Sequence, residues 1–432
     1  MLQNFFLRHL QYNGQARRFF MTIIALGFVI DGVYAVLLNL YLLRLGYDTQ
    51  FIGQVNSAGL MAFALMSLPA GFFGTRWTSG RMLRIGMGGI LLGASLLPMV
   101  EFAPVAWRAS GMMLTYSMVL AGFSLYFVNA APFLMSTVNS EQQNNAFALQ
   151  TALLALAAFF GSLFGGNFPA LITQFSAFTI DDPQPYRYTL LLTVVVVLVA
   201  LAITLTIVQA PDDDEEEVAS NDIAADTANV SAPIVTKKNI TKGVMVIIGI
   251  MSLIRFLQVA GLATTSIFFN VYLDTELGIS TSMIGTITAF ARILVVPTVL
   301  LAPRLIRRSS NGTVATVGSL LTALALLPIA LFPNGWVAAS AYIFAIAATN
   351  LRFTAFIVYI MVIIPKKNQG VMVGAGETAA GLSFAVMALG GGYIASIFGF
   401  RELFLLGAVL SGLGTLIFWL HLQQIKRKQP II

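Results

Sequence analysis

The sequence predicts an all-α membrane protein in which 12 transmembrane helices form two pseudo-symmetric six-helix bundles. Three observations predict this fold. Of the 432 residues, 58% are hydrophobic and only 10% are charged, whereas a soluble domain is about a quarter charged. A polar stretch over residues 211–242 divides the apolar sequence, and fragments of the first part recur in the second. An all-helical solution is required because lipid offers no partner for unpaired backbone groups.

Twelve apolar segments reach the ~20 residues that a helix needs to cross the bilayer core. In the first half they span residues 19–44, 51–74, 81–99, 107–134, 144–171 and 187–210. In the second half they span residues 243–272, 280–303, 312–333, 336–363, 369–396 and 401–424. The predicted domains are an N-terminal segment (1–18), a first bundle (19–210), an acidic linker (211–242), a second bundle (243–424) and a basic tail (425–432).

The basic residues predict the orientation of these predicted helices 1–12. With both termini in the cytoplasm, most Lys and Arg residues of the connections fall on the cytoplasmic side. The opposite side then holds only Arg44, Arg108, Arg187 and Arg401. Positive charge is enriched in cytoplasmic loops, so we expect cytoplasmic termini and a cytoplasmic linker. The expected location is the inner membrane of a bacterium.

Composition also excludes several classes of function. The chain has no cysteine, which excludes disulfides, thiolate zinc sites and iron–sulfur clusters, and its two histidines, His9 and His421, cannot form a metal cluster. The glycines between Gly71 and Arg84 follow no strand and precede no Lys-Ser/Thr pair, so they do not predict a phosphate-binding loop. We therefore expect no enzyme activity, no cofactor and no nucleic-acid partner.

The two halves repeat. Asn39-Leu-Tyr-Leu at the end of predicted helix 1 matches Asn270-Val-Tyr-Leu at the end of predicted helix 7. Each is followed by a Leu-Gly pair, and residues 51–53 then match residues 283–285. A weaker match relates residues 150–151 to residues 377–378. Internal symmetry of this kind is typical of secondary transporters.

With six plus six helices, a long middle linker and a repeat, the sequence resembles the major facilitator superfamily. A basic loop after predicted helix 2, with Gly71, Arg76 and Arg81, resembles the family's loop signature, although Thr75 replaces its aspartate. A looser copy follows predicted helix 8. The resemblance implies that these loops latch the cytoplasmic ends of the halves, and it assigns gating roles to Arg76, Arg81, Arg304 and Arg308.

Five charged residues fall in the interior of predicted helices, away from the helix ends: Asp31, Arg255, Arg292, Arg352 and Glu377. Each would cost about 2.5–3.5 kcal/mol if it faced lipid at the bilayer centre, so we expect these side chains to face a cavity or one another. The resemblance implies that helices 1, 4, 7 and 10 line a central cavity. The predicted substrate- and proton-binding residues are Asp31, Tyr34, Tyr126, Asn129, Arg255, Gln258, Arg352, Phe356 and Tyr359.

The working hypothesis is that Arg255 and Arg352 bind an anionic or strongly polar substrate group, while Asp31 accepts a proton or balances charge. The alternative is that Asp31 pairs permanently with Arg255 or Arg352 and only fixes the halves. Arg292 and Glu377, on predicted helices 8 and 11, are interpreted as gating or packing charges.

The sequence therefore predicts a proton-coupled secondary transporter that moves a small molecule by alternating access. The aromatic, methionine-rich interior gives a slight preference for efflux of amphipathic compounds. Three alternatives stay open: uptake or exchange of an organic anion, a lipid flippase or scramblase, and a ligand sensor that does not transport. Expected partners are the small-molecule substrate, protons and membrane lipids, and the expected state is a monomer.

Overall fold

The computed structural model describes residues 12–139, 142–207, 242–364 and 366–428. Almost all of the predicted linker, most of the N-terminal segment and the end of the basic tail lie outside these residues. The first bundle contains α1 (Gly14–Arg44), α2 (Thr49–Trp77), α3 (Ser79–Phe102), α4 (Val105–Thr137), α5 (Gln143–Gln174) and α6 (Gln184–Leu205). The second contains α7 (Lys242–Thr275), α8 (Thr281–Ile293 and Val295–Arg308), α9 (Asn311–Leu331), α10 (Gly335–Ile363), α11 (Lys366–Ile397) and α12 (Phe400–Lys428).

Within the residues that the structure describes, 12 helices are long and apolar enough to cross a membrane, which confirms the predicted number. Their bounds differ from the predicted ones where capping residues set the end of a helix. Helix α1 begins at Gly14, ahead of the predicted residue 19, because the side chain of Asn13 accepts a hydrogen bond from the Ala16 N–H at 2.8 Å. Helix α6 begins at Gln184, ahead of the predicted residue 187, because Pro183 and Pro185 favour a helix start. It ends at Leu205.

Among the described helices, two contain an irregular segment near the middle of their length. In α1 the residues Gly27–Tyr34 adopt π-helical geometry. Helix α8 is interrupted at Leu294, although the sequence predicted one continuous helix over 280–303. Pro297 explains the interruption, since it has no N–H to donate to Ile293 and its ring crowds that carbonyl.

The bundles meet closely at one end. We call the end at which α6 ends and α7 begins the linker end, and the other the opposite end. At the opposite end α2 crosses α11 and α5 crosses α8 at pairs of glycines. A Cβ on Gly392 would lie 3.0 Å from the Cα of Gly53, and one on Gly166 would lie 2.7 Å from the Cα of Gly285. Small residues thus bring the helix backbones of the two halves into contact.

Hydrogen bonds between the halves follow the same pattern. All the hydrogen bonds that we find between the halves, among the side chains that the structure describes, lie towards the opposite end. They join Asn39 to Ile267, Arg44 to Asp274, Gln54 to Tyr393, Asn167 to Ser282, Tyr186 to Thr281 and Asn270 to Ala35. The structure is therefore closed at the opposite end.

Candidate functional site

Asp31 occupies the π-helical segment of α1. This segment packs tightly on α5: a Cβ on Gly32 would lie 2.6 Å from the Cα of Gly161. A π turn inside an α-helix is rare and is found often at functional sites. No local pattern in the sequence signals this segment, because the π geometry depends on how α1 fits against another helix.

Asp31 faces the other half of the protein. Its half-buried carboxylate makes no hydrogen bond with the described residues, and no ion pair within 4.0 Å. The basic group whose charge acts on it is Arg292, on α8, and the Nε of Arg292 is buried without a partner. Both residues lie about a dozen residues, or roughly 18 Å of helix, from the opposite end. The electrostatic interaction between Asp31 and Arg292 therefore acts across the two halves.

Two tyrosines that the sequence reasoning missed accompany this pair. The charge of Asp31 acts on Tyr116, on α4, and the charge of Arg292 acts on Tyr342, on α10. Tyr34, which was predicted, lies on the same segment as Asp31, and its buried hydroxyl lies near the side chain of Thr193 on α6. A signal for Tyr116 existed, since it is a polar side chain in the interior of predicted helix 4.

The second group of charges lies in the C-terminal bundle. Arg255 on α7 donates from Nη2 to Oε1 of Glu377 on α11, at 3.3 Å. Its guanidinium also lies over the rings of Phe353 and Phe356, with 4.7 and 6.0 Å from Cζ to the ring centroids. The Nη1 atom of Arg255 is buried and has no partner. Helix α11 thus supplies the only carboxylate that pairs with Arg255 among the described residues.

Arg352 on α10 belongs to the same group. It is 1% exposed, and its Nη1 donates to Oε1 of Gln258 on α7 at 3.1 Å. The charges of Arg255 and Glu377 both act on it. Arg352 Nε and Gln258 Nε2 are buried without partners. Arg255, Arg352 and Glu377 lie about a dozen residues from the linker end, so this group lies nearer to that end than Asp31 and Arg292 do.

The structure therefore groups the embedded charges differently from the sequence analysis. Asp31 does not pair with Arg255 or Arg352, because it lies at a different depth and faces α8. Arg292 and Glu377, interpreted as gating or packing charges, are the nearest charged neighbours of Asp31 and Arg255.

Four other predicted residues take part in packing. Tyr126 shares a hydrogen bond with Thr22 and stacks on Phe19. Asn129 donates to Ala70 O at 3.1 Å and so ties α4 to α2. Phe356 and Tyr359 pack against Phe418, and the Tyr359 hydroxyl has no partner. The structure does not bring Tyr126 and Asn129 into either group of charges, because their polar atoms are used inside the N-terminal bundle.

The four arginines predicted to act in gating lie at the linker end. Arg76, Arg81, Arg304 and Arg308 are exposed. Arg81 lies over the ring of Trp77, with 5.5 Å from Cζ to the centroid. Among the described residues we find no ion pair that joins these arginines to the other half.

Solved structures share the fold at low sequence identity. The inward open xylose transporter XylE from E. coli is 13% identical, with a TM-score of 0.70 over 93% of this chain and 94% of that chain. The nucleoside transporter NupG is 14% identical, with a TM-score of 0.69 over 93% and 98%. A bacterial homolog to the human lysosomal transporter Spinster is 15% identical, with a TM-score of 0.69 over 93% and 95%.

Sequence comparison gives the family. No curated protein sequence matches the chain. The family model described as Major Facilitator Superfamily matches residues 19–375 and 251–431, which together cover nearly the whole sequence. The protein is a multi-pass membrane protein and a transporter, not an enzyme, and it belongs to the major facilitator superfamily.

Proposed function

We propose that this transporter is proton-coupled, works by alternating access and uses Asp31 as its coupling group. The observation that carries the proposal is the Asp31 carboxylate, which lies deep in the membrane without a direct partner. An ionised carboxylate is costly there, and a bound proton removes its charge. The π-helical segment places Asp31 where the two halves meet, and the positive charge of Arg292 on the opposing half favours the ionised form of Asp31. Movement of the halves relative to each other would therefore couple to binding and release of the proton.

The closed opposite end supports the transport cycle. With the termini in the cytoplasm, as the basic residues predict, this conformation has its outward side closed. Transport then requires the contacts at Gly53–Gly392 and Gly166–Gly285 to separate, while the exposed arginines of the linker end approach the other half. A slight preference for efflux of amphipathic compounds rests on the aromatic side chains beside Arg255.

A flux measurement tests the proposal. A thermal-shift screen of metabolites, drugs and lipids first identifies a ligand. Its flux into liposomes that contain the purified protein is then measured under an imposed pH gradient. We expect the gradient to drive flux in the wild type and to have no effect on Asp31→Asn. Asp48→Asn is the matched control, because Asp48 only caps α2 and asparagine caps a helix equally well.

Two outcomes would contradict proton coupling: wild-type flux that ignores the gradient, or Asp31→Asn flux that still follows it. Transport of a labelled phospholipid in the same liposomes would indicate a flippase or scramblase. Ligand binding without any flux would indicate a sensor.

Uptake or exchange of an organic anion is the second candidate. The buried, unpartnered nitrogen atoms of Arg255, Gln258 and Arg352 favour it, since all three need an acceptor. Arg255→Ala and Arg352→Ala should then abolish binding of an anionic ligand. Unchanged affinity in both variants would remove this candidate.

A further inference from the structure

The embedded charges do not balance. Asp31 and Arg292 contribute one charge of each sign from opposite halves. In the C-terminal bundle, Arg255 and Arg352 face Glu377 alone among the described residues. One positive charge is therefore left without a compensating carboxylate. An uncompensated charge in a low-dielectric interior is unfavourable, so this group requires one further negative charge.

The same residues present three free hydrogen-bond donors. Arg255, Gln258 and Arg352 are 5%, 2% and 1% exposed, and each has a buried nitrogen without a partner: Nη1, Nε2 and Nε. Buried polar groups in folded proteins are nearly always paired. The three atoms belong to one group, because Arg352 donates to Gln258, and Gln258 lies one helical turn from Arg255 on α7. Arginine nitrogens cannot accept, so the missing partner is an acceptor.

Glu377 marks the accessible edge of this group. Its side chain is 39% exposed, whereas that of Arg255 is only 7% exposed. The half-buried ring of Phe353 lies beside the Arg255 guanidinium. A ligand that enters here meets an aromatic surface and free hydrogen-bond donors. Beside them lies the Glu377 carboxylate, which already neutralises part of the positive charge.

We propose that Glu377 determines the charge of the substrate, so that the group Arg255–Gln258–Arg352–Glu377 selects an organic monoanion over the corresponding dianion. With Glu377 ionised, the group carries one net positive charge, and one carboxylate, sulfonate or phosphate monoester monoanion neutralises it. A dianion would leave an excess negative charge. The apolar part of the substrate lies against Phe353. This inference rests on the second candidate of the proposed function, since it concerns an organic anion bound by the same two arginines.

Substitutions that change the charge of the group in opposite directions test the proposal. Glu377→Gln raises its net charge by one, and Gln258→Glu lowers it by one. The probes are 2-naphthoate, naphthalene-2,6-dicarboxylate and the neutral 2-naphthamide, which share one ring system. Their affinities for the full chain in detergent are measured by titration calorimetry at pH 8, where both carboxylates are ionised.

We expect the wild type to bind 2-naphthoate more tightly than the dianion. In Glu377→Gln the ratio of the two affinities should move about tenfold towards the dianion, the size of effect expected for close buried charges. In Gln258→Glu the affinity for 2-naphthoate should fall about tenfold, while that for 2-naphthamide should not fall. Glu276→Gln is the control, since Glu276 lies at the opposite end. The ratio of the two affinities in this variant should equal that of the wild type.

Three results would overturn the proposal: no binding of 2-naphthoate by the wild type, an unchanged ratio in Glu377→Gln, or an equal change in Glu276→Gln. The Gln258→Glu arm keeps the test decisive if Glu377→Gln does not fold. Failure of proton coupling is distinguishable, because the affinity ratio is measured at equilibrium, at a single pH and without a gradient. Flux that ignores the pH gradient, together with a ratio that depends on Glu377, would refute the coupling role of Asp31 and support this inference.

Discussion

Asn39 and Asn270 each donate a hydrogen bond to a backbone carbonyl of the helix that carries the other. Asn39 Nδ2 lies 2.6 Å from the carbonyl oxygen of Ile267, and Asn270 Nδ2 lies 2.8 Å from that of Ala35. The two asparagines occupy matching positions of the internal repeat. They therefore join α1 to α7 with approximate two-fold symmetry at the closed end of the transporter.

Replacing either asparagine by alanine should open the opposite end more often. Each variant loses one buried hydrogen bond between α1 and α7 that contributes about 0.5–1.5 kcal/mol, which corresponds to about a two- to tenfold shift in the equilibrium. The further bond that Asn39 accepts from Asn56 lies within the first half. The chain has no cysteine, so Gln54→Cys provides a single reporter thiol at the contact between α2 and α11. Labelling of this thiol by a water-soluble maleimide should become faster by that factor in Asn39→Ala and Asn270→Ala.

Asn350→Ala is the control for this measurement, because the Asn350 amide donates within its own helix, to Ile346 O at 2.8 Å. Equal acceleration in Asn350→Ala would show that the effect does not come from the bonds between α1 and α7.

Gly392→Ala should disfavour the closed opposite end more strongly. The added Cβ would lie 2.8 Å from the carbonyl oxygen of Thr49, and backbone atoms cannot move aside as a flexible side chain can. Overpacking of this kind costs about 1–3 kcal/mol. Flux should fall, and in the Gln54→Cys background the reporter thiol should be labelled faster than in the parent.

Gly390→Ala lies on the same helix and meets no atom within 4 Å, so its flux and labelling should match those of the parent. Identical behaviour of the two alanine variants would contradict the role of the glycine contact.

The ion pair between Arg44 and Asp274 should be measurable as a coupling energy. Both bonds are 2.7 Å long, and the side chains are only 16% and 10% exposed. Arg44→Gln and Asp274→Asn should each lower the free energy of unfolding. The double variant should lose about 1–3 kcal/mol less than the sum of the single losses. Additive losses in a denaturation titration would show that the pair contributes no coupling.

Glu276, in the connection after α7, should make stability depend on pH. Glu276 is exposed, and partial desolvation of its carboxyl by the neighbouring chain raises its pKa. A hydrogen bond from the backbone of Phe400 lowers that pKa, and the negative charge of Glu402 raises it. An acid whose pKa is higher in the folded state destabilises the fold above that pKa, and it has no effect below the unfolded value of about 4.3. Glu276→Gln should therefore raise Tm at pH 8 and leave it unchanged at pH 3.5. Equal shifts at both pH values would contradict this assignment.

The fold was predictable because its determinants are local in the sequence. Each membrane helix needs a long apolar segment, and the repeat appears as matched residues such as Gly46 and Gly278, which both adopt positive φ at the turns after α1 and α7. The π-helical segment around Asp31 was not predictable, since it depends on the contact between Gly32 and Gly161. The break in α8 had only Pro297 as a signal.

The candidate site was predictable in its residue types more than in its pairings. Charges inside apolar helices are visible in the sequence, and helical spacing placed Gln258 near Arg255. Which charges meet depends on the depth and rotation of different helices. The sequence could not show that Glu377 reaches Arg255, or that Asp31 faces Arg292. Tyr116 was missed because hydropathy does not show whether a given side of α4 faces lipid or faces another helix.

The glycine contacts also describe how the two halves recognise each other. Gly53 and Gly285 occupy matching positions of the repeat, and each contacts the fifth helix of the other half. In terms of subunit assembly this is an isologous interface, formed as in a two-fold dimer by the same pair of surfaces used twice. A free six-helix half would carry both surfaces and be self-complementary. The embedded charges break this symmetry, since one half supplies Asp31 and the other supplies Arg255, Arg292, Arg352 and Glu377. The scaffold of this transporter is a pseudo-dimer, whereas its chemistry is divided unequally between the two halves.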